Sequence, residues 1–335
     1  MTTRLSLLAT VVLVAAVSGL APAAAEPVKI RISWAAVPAH LTPLLPLAPK
    51  DVYRHHGKSY VIEPTHVAGS GPALQALAAG ELQIAGASPQ TLVLGIERAK
   101  IDLKVIAQLM SQGVKGYPQT SFYGRKGEFK SVDELKGKTI AINARGSTMD
   151  AAVRAIMGKR GWQDGRDYRL VEVRFGAMIA ALESKRVDAA PLLQPFNLMA
   201  DAKGELTPIF STADALGGTQ TLQYFARADW IAKNRAALVD FFEDHLRYRR
   251  WLMNPANNAE AIKIVSTAAK QPVEAFKDWA FTNKGYYYDP DGLSDTALLQ
   301  KNIDDLQKLG VLPVRIDVAK HTDMSLVQEA AKRLK

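Results

Sequence analysis

The sequence predicts an α/β protein of two lobes, each a mostly parallel sheet covered by helices. Three observations carry that prediction. Short β-type runs alternate with helix-type runs from Val28 onward. The alternation restarts after a Gly/Pro-containing stretch from Gly113 to Pro118. A short pattern also recurs: Ala76-Leu77-Ala78-Ala79-Gly80-Glu81-Leu82-Gln83-Ile84-Ala85 and Ala181-Leu182-Glu183-Ser184-Lys185-Arg186-Val187-Asp188-Ala189-Ala190 both run helix, turn, short strand and loop.

In chain order, Val28–Trp34 alternates as a strand, and the Pro-rich segment Ala35–Pro49 leads into a short helix ending near His56-Gly57. Tyr60–Val67 reads as a strand, Pro72–Ala79 as a helix stopped by Gly80, and Leu82–Ala85 as a strand. A helix follows from Pro89 to Ala99, then a strand over Leu103–Leu109. After the break come a strand at Ser121–Arg125, a capping box of Ser131 and Glu134, and a strand at Thr139–Asn143. Ser147–Arg160 is a helix closed by Gly161; Tyr168–Val173, Ala177–Ser184 and Val187–Ala190 are strand, helix and strand. From Asp229 the chain is nearly all helical, with Asp229 and Ser294 as expected caps.

Three turns put a serine where a helix starts after a β-type run: Val67-Ala68-Gly69-Ser70-Gly71-Pro72, Ile84-Ala85-Gly86-Ala87-Ser88-Pro89 and Ile142-Asn143-Ala144-Arg145-Gly146-Ser147-Thr148. Such a start leaves backbone N–H groups free, adds a hydroxyl, and carries the positive end of the helix dipole. If these ends face one cleft, they form a socket for a small anionic or polar molecule. Ordinary capping is the competing reading of each turn taken alone.

Composition narrows the classes. Residues 1–25 read as an export signal: Arg4 is the only charge, Leu5–Val17 is apolar, and Ala23-Ala24-Ala25 offers small residues before Glu26. A signal anchor is the alternative reading of that segment. The chain has no cysteine, which excludes a disulfide framework and a lipid-bearing cysteine. A soluble periplasmic protein is the expectation. The formal charge of +9 is scattered among acids rather than clustered on one helix, so no nucleic-acid partner is expected.

Catalytic and metal motifs fail on inspection. Gly137-Lys138-Thr139 lacks the first P-loop glycine, because Val132 stands there, and it precedes a strand instead of following one. Gly69-Ser70-Gly71 has Ala68 where a nucleophile elbow needs glycine. None of His40, His55, His56, His66, His245 and His321 forms a metal-type pair with a nearby acid on one helix face. His55-His56-Gly57 reads as a helix end. Asp289-Pro290-Asp291-Gly292 reads as a turn beside packed Tyr286-Tyr287-Tyr288, since the downstream Glu of a calcium loop is missing. No cofactor is expected. The missing catalytic constellation favours a binding protein over an enzyme.

At this point the chain resembles the periplasmic solute-binding proteins of ABC importers that serve sulfonates, nitrate, taurine and thiamine-pyrimidine precursors. The resemblance rests on Ser70–Ile84, Ser131–Ala141, Gly146-Ser147-Thr148, and Arg186–Ala190 followed by Gln194-Pro195-Phe196. It implies a type II periplasmic-binding-protein fold with two lobes (26–117 with 227–335, and 118–226) that close over ligand about a two-segment hinge. It also implies a monomer that delivers a small-molecule ligand to a membrane permease. Ligand contacts carry over to Ser70, Gly71, Ser88, Gly146, Ser147 and Thr148, and Arg145 could add charge.

Two departures bear on the ligand. The family's Trp-Glu-Pro-Phe is Leu193-Gln194-Pro195-Phe196 here, which removes an acidic acceptor and argues against amino-bearing ligands. The first-strand region reads Trp34-Ala35-Ala36 followed by Pro38-Ala39-His40. Trp34, Phe196 and Tyr224 are each either core residues or pocket walls. Gln194 and His40 complete the candidate site. The expected ligand is a small organic anion, a sulfonate or a carboxylate, aromatic or not. The rivals are an enzyme of thiamine-pyrimidine synthesis, which the absence of cysteine opposes, and a sensor for a membrane signalling partner.

Overall fold

The computed structural model describes residues 26–335, so the expected export segment lies outside the described residues. The strands are β1 Val28–Trp34, β2 Tyr60–His66, β3 Ala85–Ala87, β4 Leu103–Gln112, β5 Ser121–Arg125, β6 Thr139–Ile142, β7 Arg169–Glu172, β8 Ala190–Leu192, β9 Leu206–Ser211 and β10 Thr219–Arg227. The helices are α1 Ser70–Ala78, α2 Gln90–Glu97, α3 Thr148–Gly158, α4 Met178–Glu183, α5 Phe196–Lys203, α6 Thr212–Leu216, α7 Ala228–Met253, α8 Asn258–Ala269, α9 Thr296–Lys308 and α10 Ser325–Arg333. Residues Val132–Leu135 form one 3₁₀ turn behind the Ser131–Glu134 capping box read from the sequence.

Two sheets share one plan. In the first, β1 pairs in parallel with β2, Val28 opposite Tyr60. A parallel bridge from Ile32 to Ile84 joins the strand running into β3, and β10 lies antiparallel between β3 and β4. In the second, β6 pairs in parallel with β7, and Ile140 bridges in parallel to Ala189 ahead of β8. There β5 lies antiparallel between β8 and β9. The orders are β2-β1-β3-β10-β4 and β7-β6-β8-β5-β9, with one reversed strand in each. This is the α/β, mostly parallel, two-sheet architecture the sequence predicts.

The ten-residue repeat is carried in the hydrogen bonds. Leu82 N–H reaches Ala76 O at 3.2 Å, and Val187 N–H reaches Ala181 O at 3.1 Å. Gln83 N–H and Ile84 N–H both donate to Arg31 O, just as Asp188 N–H and Ala189 N–H both donate to Thr139 O. The turn between helix and strand needs a left-handed residue; Gly80 (φ 76°) supplies it in one copy and Lys185 (φ 60°) in the other.

Several expected boundaries shift. The strands expected at Leu82–Ala85 and Val187–Ala190 regularise three residues later or so, at β3 and β8, because the earlier residues bridge only singly to β1 and β6. β10, expected in the second lobe, pairs with β3 and β4 of the first sheet. The residue after β4 and the residue before β10 lie close together: a Cβ on Gly218 would lie 2.9 Å from the Gly113 carbonyl oxygen.

His55-His56-Gly57 ends no helix. The fully buried Asp244 carboxylate accepts from the N–H groups of Arg54, His55 and His56 and from the Tyr60 hydroxyl, and this gathers the segment into turns. Asp229 lies in the first turn of α7 behind Arg227, and Asp295, not Ser294, caps α9 by accepting from Leu298 N–H. The Asp289 turn forms as expected: Gly292 N–H bonds Asp289 O, while the Tyr288 hydroxyl donates to Pro38 O.

One face of the first sheet packs on α7, α8 and α10, with Ile30, Tyr60, Phe241, Phe242 and Tyr248 fully buried. Each such side chain contributes about 1.5–3 kcal/mol of transfer free energy. A second core joins α1, α2, α3 and α9. Among the described residues no helix is long and apolar enough to cross a membrane.

Candidate functional site

In parallel α/β sheets the crevice lies beyond the carboxyl ends of the strands. Here those ends are Ala35-Ala36 after β1, Val67–Gly69 after β2, Ser88 after β3, Asn143–Ser147 after β6, Arg174–Gly176 after β7 and Leu193–Pro195 after β8. The two sheets bring these segments against each other.

Hydrogen bonds cross between segments of the two sheets around this crevice. Ser88 Oγ donates to Gly146 O at 2.7 Å, Gln90 Nε2 to Ser147 O at 3.2 Å, and Asn143 Nδ2 to Ala68 O at 3.2 Å. Thr148 Oγ1 donates to Thr221 O at 3.0 Å, and Gln194 Nε2 to Lys284 O at 3.0 Å. Backbone also meets backbone: a Cβ on Gly71 would lie 2.6 Å from Arg145 O, so only glycine allows this approach without movement.

Between the clasped turns lies a cavity of about 50 Å³, lined by His40, Ser70, Met110, Asn143, Ser147, Thr148, Met149, Phe175, Leu193 and neighbours. That space suits one or two water-sized groups. Adjoining it is a larger recess of about 350 Å³, lined by Trp34, His66, Arg174, Phe175, Gln194, Phe196, Lys270 and Phe276 among others. Both share Ala35, Ala36, Phe175 and Leu193, so they form one continuous cleft.

The predicted residues divide among five places. His40, Ser70, Ser147 and Thr148 line the inner cavity, while Trp34, Gln194 and Phe196 line the outer recess. Gly71, Arg145 and Gly146 border a separate groove behind the clasp. Arg145 is engaged there: its guanidinium pairs with Asp164 at 2.5 Å and its N–H with the Glu172 carboxylate. Ser88 is fully buried as the latch onto Gly146 and is not part of the cavity lining. Tyr224, also fully buried, belongs to the first core and walls no part of the cleft. Phe175, Arg174 and Lys270 join the lining without any motif that marks them, and Asn143 and Leu193 join it as sequence neighbours of candidate residues. The signal that could have found most of them is their place just after strands of the repeated plan.

The serines do different work from three equivalent caps. Ser147 caps α3, accepting from Asp150 N–H at 3.2 Å. Ser70 is the first residue of α1, and its Oγ accepts from Ser88 N–H at 3.0 Å. Both hydroxyl hydrogens remain free to donate, since each oxygen is engaged as an acceptor. The starts of α1 and α3 also contribute N–H groups that have no partner within their helices.

The cleft lining holds the cations Arg174 and Lys270 and no carboxylate. Among the described residues neither cation forms an ion pair. His40, 4% exposed, sits with Nε2 3.3 Å from Gly86 O, and burial lowers its pKa to about 4. The ring is therefore neutral at pH 7. Its N–H can donate to only one side, and Nδ1 meets no protein partner.

The fold has known counterparts. The alkanesulfonate-binding protein SsuA of Xanthomonas axonopodis pv. citri, solved with MOPS bound, matches with TM-score 0.67 at 17% identity, over 90% of this chain and 100% of its own. The periplasmic nitrate-binding protein NrtA of Synechocystis PCC 6803 matches with TM-score 0.71 at 18% identity, over 92% and 90%. The periplasmic aliphatic sulphonate-binding protein SsuA of Escherichia coli matches with TM-score 0.62 at 16% identity, over 90% and 100%. No curated protein matches this chain in sequence. The structural likenesses establish a periplasmic-binding-protein fold. The sequence model of the NMT1-like family spans residues 23–266, and the chain belongs to that family.

Proposed function

We infer that this chain is a periplasmic solute-binding protein that captures a small organic anion between two lobes and presents it to the permease of an ABC importer. One observation carries the reading. The starts of α1 and α3, which belong to different sheets, border one cavity with Ser70 and Ser147, and the cleft lining has cations but no acid. Helix N-termini attract anions through free N–H groups and the dipole, and burial strengthens that attraction. The names of the structural counterparts, which bind sulfonates and nitrate, support the ligand class.

The lobes of this reading are 26–112 with 219–335, and 121–216, joined by the crossings that meet at Gly113 and Gly218. Anion binding would draw on contacts from both lobes and favour the closed arrangement over an open one. A cavity of about 50 Å³ implies that an organic ligand enters only as the clasp parts. A thermal-shift screen of residues 26–335 tests the function, since a ligand of the native state raises the melting temperature by mass action. Sulfonates or carboxylates should stabilise the protein. Stabilisation by neutral sugars or amino acids with none by any anion would refute the reading.

A further inference from the structure

The ends of β1 and β2 carry an aromatic pair that no core uses. Trp34 and His66 are the last residues of those strands and stand opposite each other in the parallel register. Their rings meet edge to face, with centroids 4.6 Å apart and planes at 69°. Trp34 is half-buried, and alone among the five tryptophans it packs in none of the hydrophobic cores. An indole is among the largest apolar surfaces a side chain can bury, so one held out of the cores at a cleft is free to pack against something else. The second sheet contributes two more rings. Phe175 follows β7 and Phe196 opens α5 after β8, both half-buried. These two segments lie close together: a Cβ on Gly176, next to Phe175, would come 3.9 Å from Phe196 Cζ. All four residues line the outer recess of about 350 Å³, and Phe175 lines the inner cavity as well.

Size and charge then divide a ligand into two parts. The inner cavity of about 50 Å³ takes a group of a few atoms, so an acidic head fits there and an organic body does not. The body falls to the outer recess, whose walls are aromatic on both sides. Aromatic walls can also serve a cation. This recess, however, has Arg174 and Lys270 in its lining and no acid, which opposes a positively charged tail. An uncharged flat ring behind an acidic head meets both constraints, because rings packed edge to face or offset gain more than their buried area alone.

We propose that the outer recess is an aromatic clamp, with Trp34 and His66 on one jaw and Phe175 and Phe196 on the other, and that the ligand is an aryl carboxylate or aryl sulfonate. The inference rests on the anion-capture reading and narrows its ligand class. Nitrate or a short alkanesulfonate would occupy the inner cavity and leave the clamp empty.

The test is calorimetric titration of the chain 26–335 with pairs matched in charge and carbon count: benzoate against cyclohexanecarboxylate, and benzenesulfonate against hexane-1-sulfonate, with ethanesulfonate as a tailless control. Each aryl anion should bind about threefold tighter or more than its saturated partner, and both ratios should fall toward one in Trp34→Leu, which keeps apolar bulk and removes the ring. Because each ratio compares ligands within one protein, a loss of stability in the variant does not mimic the effect. Equal or tighter binding of the saturated members, or an aryl preference unchanged in Trp34→Leu, overturns the clamp while anion capture stands. Binding of ethanesulfonate when none of the four larger anions binds overturns the clamp in the same way. Failure of all five to bind overturns both.

Discussion

The Ser88 hydroxyl donates to the Gly146 carbonyl at 2.7 Å, tying the end of β3 in one sheet to the turn before α3 in the other. Ser88 is fully buried, and its own N–H is held by the Ser70 hydroxyl at 3.0 Å. One serine turn thus sets the next, and the pair grips the third. The bond belongs to the arrangement in which the two sheets meet, so it should contribute to closure more than to folding of either unit.

Ser88→Ala therefore should weaken anion binding about 3- to 10-fold, the worth of one hydrogen bond of about 0.5–1.5 kcal/mol. The melting temperature without ligand should change little. Calorimetry beside a thermal melt checks both; a large drop in melting temperature with unchanged affinity would make Ser88 a folding residue only.

Gly71→Ala puts a methyl 2.6 Å from Arg145 O, backbone against backbone. The lobes should then fold but fail to meet, with affinity falling more than tenfold. Small-angle scattering with saturating anion should show an unchanged radius of gyration in the variant, where the parent chain contracts.

Arg174 and Lys270 are exposed at the outer recess. Charges at such a rim mainly steer encounter. Arg174→Gln should lower the association rate for anions several-fold at low salt, and the difference should vanish at high ionic strength. A rate change that persists in high salt would assign Arg174 a direct contact.

Burial lowers the folded-state pKa of His40 from 6.5 to about 4, with backbone carbonyls of Gly86 and Ala36 and the ring of His66 as its neighbours. Below the unfolded value the unfolded chain binds more protons, so stability from this group is lost as pH falls through the window between 6.5 and 4. Relative to pH 7, the loss at pH 5 should be about 2 kcal/mol. His40→Gln should flatten that part of the stability–pH curve; an unchanged slope would contradict a neutral, buried His40.

Lys185 occupies the left-handed position that Gly80 fills in the other copy of the repeat. Lys185→Gly should stabilise the chain by about 1 kcal/mol and Gly80→Ala should destabilise it by a similar amount, because a Cβ disfavours this conformation. No neighbouring atom lies within 4 Å of a Cβ at Gly80, so the second effect is conformational and not steric. Chemical denaturation checks both signs.

Much of this architecture is legible in the sequence. Val28–Trp34 forms the strand its alternation predicts, Ser121–Arg125 is a strand as expected, and Ser147 caps α3. Local patterning fails where partners decide. The residues before β3 and β8 carry strand character but bridge only singly, so the regular strands begin later. Asp244 holds the His55 segment from almost two hundred residues away in sequence, which no local cap rule can foresee. The site was legible in outline. Gly-Ser turns mark both jaws, yet Arg145 turns to Asp164, Tyr224 sinks into the core and Ser88 becomes a latch. Which side of a turn a residue faces depends on the opposite lobe, and one turn's sequence does not contain it.

The central claim is that an anion is held between the starts of α1 and α3. A crystal structure of the protein with the most stabilising anion from the screen tests this most directly. The account predicts the anionic group bordered by Ser70 and Ser147, with the Ser88–Gly146 bond intact around it. An anion bound instead in the groove that Gly71, Arg145 and Gly146 border would contradict it.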